Sequence, residues 1–192
     1  YNNIIYRKNE FNKGACYTRN RGIELASGEF ITGLDDDDEF ESNRIEYFLE
    51  KYDDKYAFLC SNINIKDKLY EYKMFIGTKE IKFNDLFWYN YVGNQVFIKK
   101  DRINALKGFD ETLDSAQDLD LWIRILKKYG KALRLNEATY NLYIDHDKPR
   151  ITTSSKKING LKSFFSKHRN YMNNNEEEFY KLKIKYWENN CK

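Results

Sequence analysis

The sequence predicts an α/β fold that is followed by a helical C-terminal appendage. Apolar runs of strand length alternate with segments whose apolar residues recur at helical spacing, which is typical of this class. One such run, Phe30 to Leu34, ends in four consecutive aspartates, Asp35 to Asp38. The length of 192 residues and the hydrophobic content of 41% indicate one globular domain with a substantial core.

The first third of the chain has the order strand, helix, strand. We expect a short strand over Asn3 to Arg7, a helix over Ala15 to Ala26 and a buried strand over Phe30 to Leu34. Gly28 lies where a helix stop is expected. This order predicts one βαβ unit, and therefore a parallel strand pair with a right-handed crossover.

Further strands and short helices are expected downstream. Asn43 and Glu46 have the spacing of a helix cap and its reciprocal partner, which predicts a helix over Asn43 to Glu50. The other expected elements are strands at Tyr56 to Ile65, Leu69 to Ile76 (leaving the main sheet), Asn94 to Lys99, Lys131 to Leu135 and Ala138 to Ile144, a short helix at Asp101 to Leu106, and an aromatic stretch, Asn84 to Tyr91, that fits either a helix or a loop.

The four aspartates carry the first chemical signal. Adjacent carboxylates repel each other and resist desolvation, so they need a cation if they are held near a core. A divalent metal with oxygen ligands, which commonly binds phosphates as well, is the natural candidate. The alternative is a solvated loop or the acidic first turn of the next helix. An EF-hand loop starting at Asp35 is excluded because its sixth position is Phe40 rather than glycine.

A second carboxylate site opens the clearest helix, Gln117 to Tyr129. Its apolar residues recur at i, i+3, i+4 and i+7, which predicts burial on much of its surface. Asp118 and Asp120 fall in its first turn, where the helix dipole favours anions. A metal-bound diphosphate and a separate general base are the minimal equipment for group transfer from a nucleotide-activated donor.

Composition narrows the classes of function. A net charge of +3 is too balanced to indicate nucleic-acid binding. Three widely spaced cysteines fit neither a zinc site nor a disulfide framework, which favours a reducing compartment such as the cytoplasm. We find no signal peptide and no apolar run long enough to span a bilayer. The chain begins at Tyr1 rather than Met, which suggests a fragment or a trimmed chain.

Two motifs resemble those of family 2 glycosyltransferases with the GT-A fold. The first runs from Asn12-x-Gly14 through Arg19-Asn20-x-Gly22-Ile23 and Gly28-Glu29-x-Ile31 to Leu34-Asp35-Asp36-Asp37-Asp38. The second, about 80 residues later, is Gly108-Phe109-Asp110-Glu111 followed by Gln117-Asp118-Leu119-Asp120-Leu121-Trp122. The resemblance covers Asn3 to Arg150. It implies a Rossmann-like mixed sheet flanked by helices.

The resemblance also implies an inverting transferase that uses a nucleotide-diphosphate sugar and a divalent cation, Mn²⁺ or Mg²⁺. Carried over by position, Asp36 lies near the ribose and Asp37 binds the metal together with Asp35. Asp118 is the catalytic base that takes a proton from the acceptor hydroxyl as it attacks the anomeric carbon.

Further residues are assigned with their alternatives. Arg19 and Gly14 complete the donor-binding set that the resemblance implies, although Arg19 also fits a purely structural role in the turn before its helix. His146 is a candidate third metal ligand or phosphate contact, and the alternative is a surface-loop histidine. Three aromatic residues are placed either to stack on an acceptor sugar or to pack in the core, namely Trp88, Tyr89 and Tyr91.

The resemblance divides the chain into a GT-A domain, residues 1–150, that lacks the family's opening strands, and a basic helical extension, residues 151–192. Gln117 stands where the family usually has Glu, and Asn43 stands where Pro is common. The segment from Lys156 to Lys192 has nine Lys or Arg against four Glu. It either rests on an anionic membrane surface near a lipid-linked acceptor or packs against the domain.

The predicted activity is transfer of a hexosyl or N-acetylhexosaminyl group to a bacterial surface glycan or lipid-linked acceptor. The expected location is the cytoplasm, including peripheral attachment to the inner face of the cell membrane. A non-catalytic, degenerate transferase fragment that binds glycan or protein is the alternative, favoured by the missing strands. A metal-dependent phosphate-transfer enzyme is disfavoured because the sequence has no P-loop.

Overall fold

The computed structural model describes residues 3–144 and 156–190. Within these ranges the helices are α1 (Gly14–Leu25), α2 (Arg44–Lys51), α3 (Asp85–Trp88), α4 (Lys100–Asn104), α5 (Gln117–Tyr129), α6 (Lys156–His168) and α7 (Asn174–Asn190). The strands are β1 (Phe30–Ile31), β2 (Glu39–Phe40), β3 (Leu59–Lys66), β4 (Glu71–Lys73), β5 (Lys79–Ile81), β6 (Ile98–Lys99) and β7 (Ala132–Tyr143). The predicted helices are therefore confirmed, and the aromatic stretch contains the single turn of α3.

The main sheet has five strands and mixes parallel and antiparallel pairs. Its order is β2-β7-β3-β4, and β5 pairs with the first part of β7. β3 and β7 are parallel, whereas β2, β4 and β5 run antiparallel to their partners. The prediction that Leu69 to Ile76 leaves the main sheet is wrong, because β4 lies within it and forms ladder pairs with β3.

The two strands predicted at Lys131 to Leu135 and Ala138 to Ile144 form the single strand β7. The register of β7 against β3 shifts near Asn62. Asn62 Nδ2 donates to the carbonyl oxygen of Asn136 at 2.6 Å, which satisfies one backbone acceptor at this irregularity.

The strand that leads to the four aspartates is short. β1 pairs antiparallel with β6, with Phe30 opposite Lys99 and Ile31 opposite Ile98. Phe97, just before β6, exchanges backbone hydrogen bonds with Leu59 of β3 at 2.9 and 2.8 Å. These bonds fix the start of the acidic segment relative to the main sheet.

The predicted strand at Asn3 to Arg7, and with it the predicted parallel pairing to β1, is wrong. Residues 4–9 have no regular secondary structure, and Ile4, Ile5 and Tyr6 are exposed by 67%, 65% and 76%. An isolated extended segment gains neither ladder hydrogen bonds nor apolar burial, so its β propensity is not sufficient to form a strand.

A buried arginine, which the sequence did not reveal, anchors the segment after the aspartates. Arg44 begins α2, is 1% exposed, and donates to Ser61 Oγ at 3.0 Å and to Thr139 Oγ1 at 2.8 Å. Its guanidinium also lies over the rings of Phe40 and Phe48. Burial lowers the pKa of Arg44 to about 10. α2 is therefore attached to β3 and β7 through one side chain.

The C-terminal helices share the main core with α5. Trp122 and Leu121 of α5 belong to the same buried cluster as Leu161 and Phe164 of α6 and Tyr180 of α7. The rings of Phe164 and Tyr180 stack with centroids 5.4 Å apart. This observation supports packing of the basic segment against the domain, and the domain boundary after residue 150 stays a prediction.

Two lysines of the basic segment form ion pairs with glutamates of the same segment. Lys162 pairs with Glu188 at 2.6 Å, and Lys181 pairs with Glu177 at 2.7 Å. These pairs reduce the positive charge that α6 and α7 offer to a membrane surface. In the described part of the chain, no helix is long and apolar enough to cross a membrane.

Candidate functional site

The four aspartates form a tight turn between β1 and β2. The backbone N–H of Asp38 donates to the carbonyl oxygen of Asp35 at 3.2 Å, which closes the turn. Asp36 and Asp37 occupy its tip and are exposed, whereas Asp35 is half-buried and Asp38 is buried. The predicted acidic cluster therefore consists of two inner and two outer carboxylates.

Asp35 is held by three side-chain donors. Its Oδ1 accepts from Arg19 Nη2 at 3.0 Å and from Gln95 Nε2 at 3.1 Å, and its Oδ2 accepts from Asn94 Nδ2 at 2.9 Å. Gly33 allows this approach, because a Cβ at this position would clash with the end of the Gln95 side chain. Both oxygens of Asp35 are thus engaged by the protein, and its assignment as a metal ligand stays a prediction.

Asp38 attaches the turn to the long strand β7. It accepts from Tyr140 Oη at 2.6 Å and from the backbone N–H of Tyr143 at 3.0 Å. Burial raises the pKa of Asp38 above its usual range, although both hydrogen bonds act in the opposite direction. The inner carboxylates, Asp35 and Asp38, therefore fix the position of the turn.

Asp37 at the exposed tip of the turn and the inner Asp35 stay the predicted ligands of a divalent cation, and Asp36 stays the predicted ribose contact. Magnesium in particular is usually held by one or two carboxylates together with substrate phosphates and water. Over residues 3–144 and 156–190 there is no group of three or more His, Cys, Asp or Glu side chains arranged to hold a metal alone. His146, the predicted third ligand, lies outside the described residues.

The predicted base, Asp118, lies in the first turn of α5. Ala116, directly before the helix, has a left-handed backbone with φ of 60°. Asp118 Oδ2 accepts a hydrogen bond from Asn90 Nδ2 at 3.1 Å. Burial raises the pKa of Asp118, while the backbone N–H of Leu119 and the charge of Arg19 act to lower it. A carboxylate with a raised pKa is suited to general-base catalysis near neutral pH.

Arg19 of α1 connects the two acidic sites. It forms an ion pair with Asp35 at 3.0 Å, and its charge also stabilises the carboxylate of Asp118. A cavity of about 310 Å³ opens beside it, with Arg19, Asp35 and Gln95 as polar lining and an apolar wall that includes Phe109 and Trp122. The structure thus brings Arg19, Asp35 and Asp118 into one region, and their roles in donor binding and catalysis stay predictions.

Gly14 has a simpler structural role. It is the first residue of α1, with φ of +83°, and its N–H donates to Asn12 Oδ1 at 3.0 Å. A side chain at this position would meet no atom within 4 Å, so its backbone conformation, rather than close packing, favours glycine. Its predicted role in donor binding stays a prediction.

The second motif is attached to α1 and to α6. Asn20 accepts from the N–H of Phe109 at 2.8 Å and donates to its carbonyl oxygen at 2.9 Å. Asp110 accepts from Lys167 Nζ at 2.6 Å. Burial alone would raise the pKa of Asp110, but Lys167 and Thr112 hold it well below its usual range.

Asp120 is the centre of a buried ionic cluster rather than a second base. It is 0% exposed and accepts from Arg124 Nε at 2.8 Å and from His168 Nε2 at 2.8 Å, and it pairs with Lys167 Nζ at 2.7 Å. Burial acts to raise its pKa, but hydrogen bonds from His168 and Lys167 and the charge of Arg124 hold it below the usual value. The cluster joins α6 to the helix that carries Asp118.

Three aromatic residues flank Asn90, the residue that donates a hydrogen bond to the candidate base Asp118. Trp88 and Tyr89 are exposed by 43% and 51%, and Tyr91 is half-buried beneath Lys79, whose Nζ is 3.8 Å from the ring centre. Trp88 also packs on Phe179 at 5.4 Å. Tyr89 has the largest exposed fraction of the predicted trio, and its ring also contacts the rings of Phe75 and Tyr91.

The sequence did not reveal the role of the loop at residues 90–95. Asn90 contacts Asp118, while Asn94 and Gln95 contact Asp35. No periodicity or motif distinguishes these amides from ordinary loop residues. Only the three-dimensional arrangement shows that one loop touches both acidic sites.

The comparisons with known proteins agree with this architecture. The model of the family described as glycosyl transferase family 2 matches residues 1–114. The chain is 38% identical, over 86% of its length, to the putative colanic acid biosynthesis glycosyl transferase WcaA of Escherichia coli K12. It is 30% identical, over 69% of its length, to the UDP-Glc:alpha-D-GlcNAc-diphosphoundecaprenol beta-1,3-glucosyltransferase WfaP of Escherichia coli.

A solved structure has the same fold. The likeness to residues 1–349 of Staphylococcus aureus TarS in complex with UDP-GlcNAc has a TM-score of 0.60 at 16% identity, and it covers 79% of this chain and 46% of that one. This likeness confirms the predicted GT-A fold. The aligned regions span 61% of WcaA and 53% of WfaP.

Proposed function

Because the chain belongs to glycosyl transferase family 2, we propose that it transfers a sugar from a nucleotide-diphosphate sugar to an acceptor hydroxyl with inversion. The observation that carries this proposal is that both acidic sites interact with the same arginine, Arg19. Arg19 forms an ion pair with Asp35 of the acidic turn, and its charge also acts to lower the pKa of Asp118. The acidic turn has the chemistry to bind a diphosphate through a divalent cation, and Asp118 has the chemistry of a base.

The reaction needs one proton transfer and one displacement. Asp118 accepts the proton of the acceptor hydroxyl as the hydroxyl oxygen bonds to the anomeric carbon. The bond from that carbon to the diphosphate oxygen breaks at the same time, and the nucleoside diphosphate leaves with the electron pair. A single displacement of this kind inverts the configuration at the anomeric carbon.

The proposed cofactor is Mn²⁺ or Mg²⁺. Asp37 would hold it at the tip of the turn, Asp35 is the second proposed ligand, and Asp36 would lie near the ribose. When bound, the cation would neutralise negative charge on the departing diphosphate. Arg19 supplies a fixed positive charge in the same region. His146 stays a predicted ligand.

The proposed donor and acceptor classes come from the relatives and from the site. WfaP is named for UDP-glucose and for an acceptor linked through diphosphate to undecaprenol. We propose a hexosyl or N-acetylhexosaminyl donor and a bacterial surface glycan or lipid-linked acceptor for this chain. The exposed ring of Tyr89 supports acceptor binding, because aromatic faces stack on the apolar faces of sugars. The proposed location is the cytoplasm, with peripheral attachment to the inner face of the membrane.

A non-catalytic binding role is the second candidate. This candidate is favoured by the pairing of β1. Within the described residues, β1 pairs with β6 along one edge and has no strand partner along the other. A module of this kind would keep the fold but would not turn over a nucleotide sugar. The titration described next separates the two candidates when it is combined with a turnover assay on the same preparation.

Asp37→Ala is expected to weaken metal-dependent UDP binding by at least about tenfold, since it removes a proposed anionic ligand of the cation. The measurement is calorimetric titration of UDP into the protein with Mn²⁺ and with a chelator. Glu46→Ala removes an exposed carboxylate from the nearby helix α2 and is the matched control. Equal UDP affinity of the wild type and Asp37→Ala in the presence of Mn²⁺ would rule out Asp37 as a ligand of the cation.

A further inference from the structure

The side-chain amide of Asn90 is held in one orientation. Its Oδ1 accepts from the backbone N–H groups of Val92 and Gly93, both at 3.2 Å. Its Nδ2 donates to the carbonyl oxygen of Gly93 at 3.2 Å and to Asp118 Oδ2 at 3.1 Å. Turning the amide over would place its NH₂ group against two N–H donors, so the donor side must face Asp118.

The loop around Asn90 is attached to α5 at a second point. Trp122 Nε1 donates to the carbonyl oxygen of Gly93 at 3.1 Å. Trp122 lies four residues after Asp118, which is one helical turn along the same face. Gly93 has φ of +88°, a conformation that favours glycine. Two successive turns of α5 therefore fix the position of the Asn90 amide.

We propose that Asn90 is a positioning residue for Asp118, the proposed base. Its side-chain amide orients the carboxylate of Asp118 and stabilises the anionic form that takes the proton of the acceptor hydroxyl. This inference rests on the proposed function, in which Asp118 is the base. Asn90 itself does not exchange a proton. It acts on the reaction only through the hydrogen bond to Asp118.

The other groups that face Asp118 are few. Arg19 and Cys16 lie on α1, and the N–H of Leu119 lies on α5 itself. Burial raises the pKa of the Cys16 thiol to about 11, so the thiol is neutral and adds no charge at physiological pH. Asn90 is the side-chain donor that opposes the effect of burial on the pKa of Asp118.

The sign of the expected effect follows from the chemistry. A base must be deprotonated to accept a proton, and a hydrogen-bond donor favours the deprotonated carboxylate. Loss of the Asn90 donor should therefore raise the pKa of Asp118 and move the acidic limb of the pH–rate profile to higher pH. A shift of about one pH unit is expected for one charge-assisted hydrogen bond.

The test uses Asn90→Asp and Asn90→Ala in the full chain. Asn90→Asp keeps an oxygen for the Val92 and Gly93 N–H groups but replaces the donor by a like charge, so it should give the larger shift. Asn189→Ala is the matched control, because it removes an exposed side-chain amide on α7 and leaves the Asn90 donor to Asp118 in place. Two quantities are measured, the pKa of Asp118 by carboxyl-carbon NMR and the pH profile of UDP release from UDP-glucose with Mn²⁺.

The expected result is a raised pKa of Asp118 and a displaced acidic limb in both Asn90 variants, with neither change in Asn189→Ala. An unchanged pKa of Asp118 in a folded Asn90 variant would overturn the inference. The wild type gives an independent test, since the Asn90 NH₂ resonances should follow the titration of Asp118 and lose this response in Asp118→Asn. Their failure to respond would also overturn the inference.

A failure of the proposed function would look different. In that case the wild type would show no turnover of UDP-glucose, or Asp118→Asn would keep the turnover of the wild type. If Asp118→Asn is inactive while the Asn90 variants leave the pKa of Asp118 unchanged, only the positioning role of Asn90 fails.

Discussion

Asp118→Asn is expected to lower turnover of a nucleotide sugar by about 10²- to 10⁴-fold, the usual contribution of a positioned general base. The amide keeps the size of the side chain but cannot take a proton from the acceptor. Asn90 donates to Asp118 at 3.1 Å, and an amide oxygen at position 118 can accept the same bond. The fold and the affinity for UDP should therefore be retained.

The effect is measured as UDP release from UDP-glucose or UDP-N-acetylglucosamine, together with UDP affinity and thermal stability. Asp114→Asn is the matched control, because it neutralises an exposed aspartate four residues earlier in the chain. A turnover of Asp118→Asn within about threefold of the wild type would show that Asp118 is not the base, because this is far less than the loss expected for a base.

Asp120→Ala is expected to lower the free energy of unfolding by about 3–5 kcal/mol, which is typical when one partner of a buried ionic cluster is removed. Asp120 is fully buried and is the shared acceptor for Arg124, Lys167 and His168. Without it, Arg124 would lose its carboxylate partner and the buried His168 would lose its hydrogen-bond partner. The cluster joins α6 to α5, so the C-terminal helices should become easier to unfold.

Urea unfolding measures this change, and Glu24→Ala is the control. Glu24 pairs with Arg21 at the surface, where loss of an ion pair costs about 0–1 kcal/mol. The pKa of Asp120 is held below its usual value in the folded state. Its stabilising contribution is therefore present above the ordinary aspartate range and is lost as the pH falls below about 4. Equal stability of Asp120→Ala and wild type would contradict the structural role of the cluster.

The elements that the sequence predicted well are those with a strong local signal. The bounds of α5 agree with the predicted helix because its apolar periodicity, its acidic first turn and the following Gly130 all indicate the same segment. The acidic turn was recognised because four carboxylates in a row are chemically conspicuous. Both features are local in the chain, so no knowledge of the tertiary structure was needed.

The features that the sequence did not predict depend on distant partners. The segment Asn3 to Arg7 has strand-like residues but forms no strand, because a strand needs a neighbouring strand and apolar burial. The division of the four aspartates into inner and outer pairs depends on Tyr140, about one hundred residues downstream. The cationic residue Arg44 is buried because Ser61, Thr139 and aromatic rings surround it in space.

The central claim is sugar transfer by this chain through Asp118. The direct measurement is incorporation of radiolabelled sugar from UDP-glucose or UDP-N-acetylglucosamine into organic-extractable lipid of bacterial membranes, with Mn²⁺ and purified protein. The account predicts incorporation that requires the protein and the cation and that disappears in Asp118→Asn. Incorporation that is the same with and without the protein, or that survives in Asp118→Asn, would contradict it.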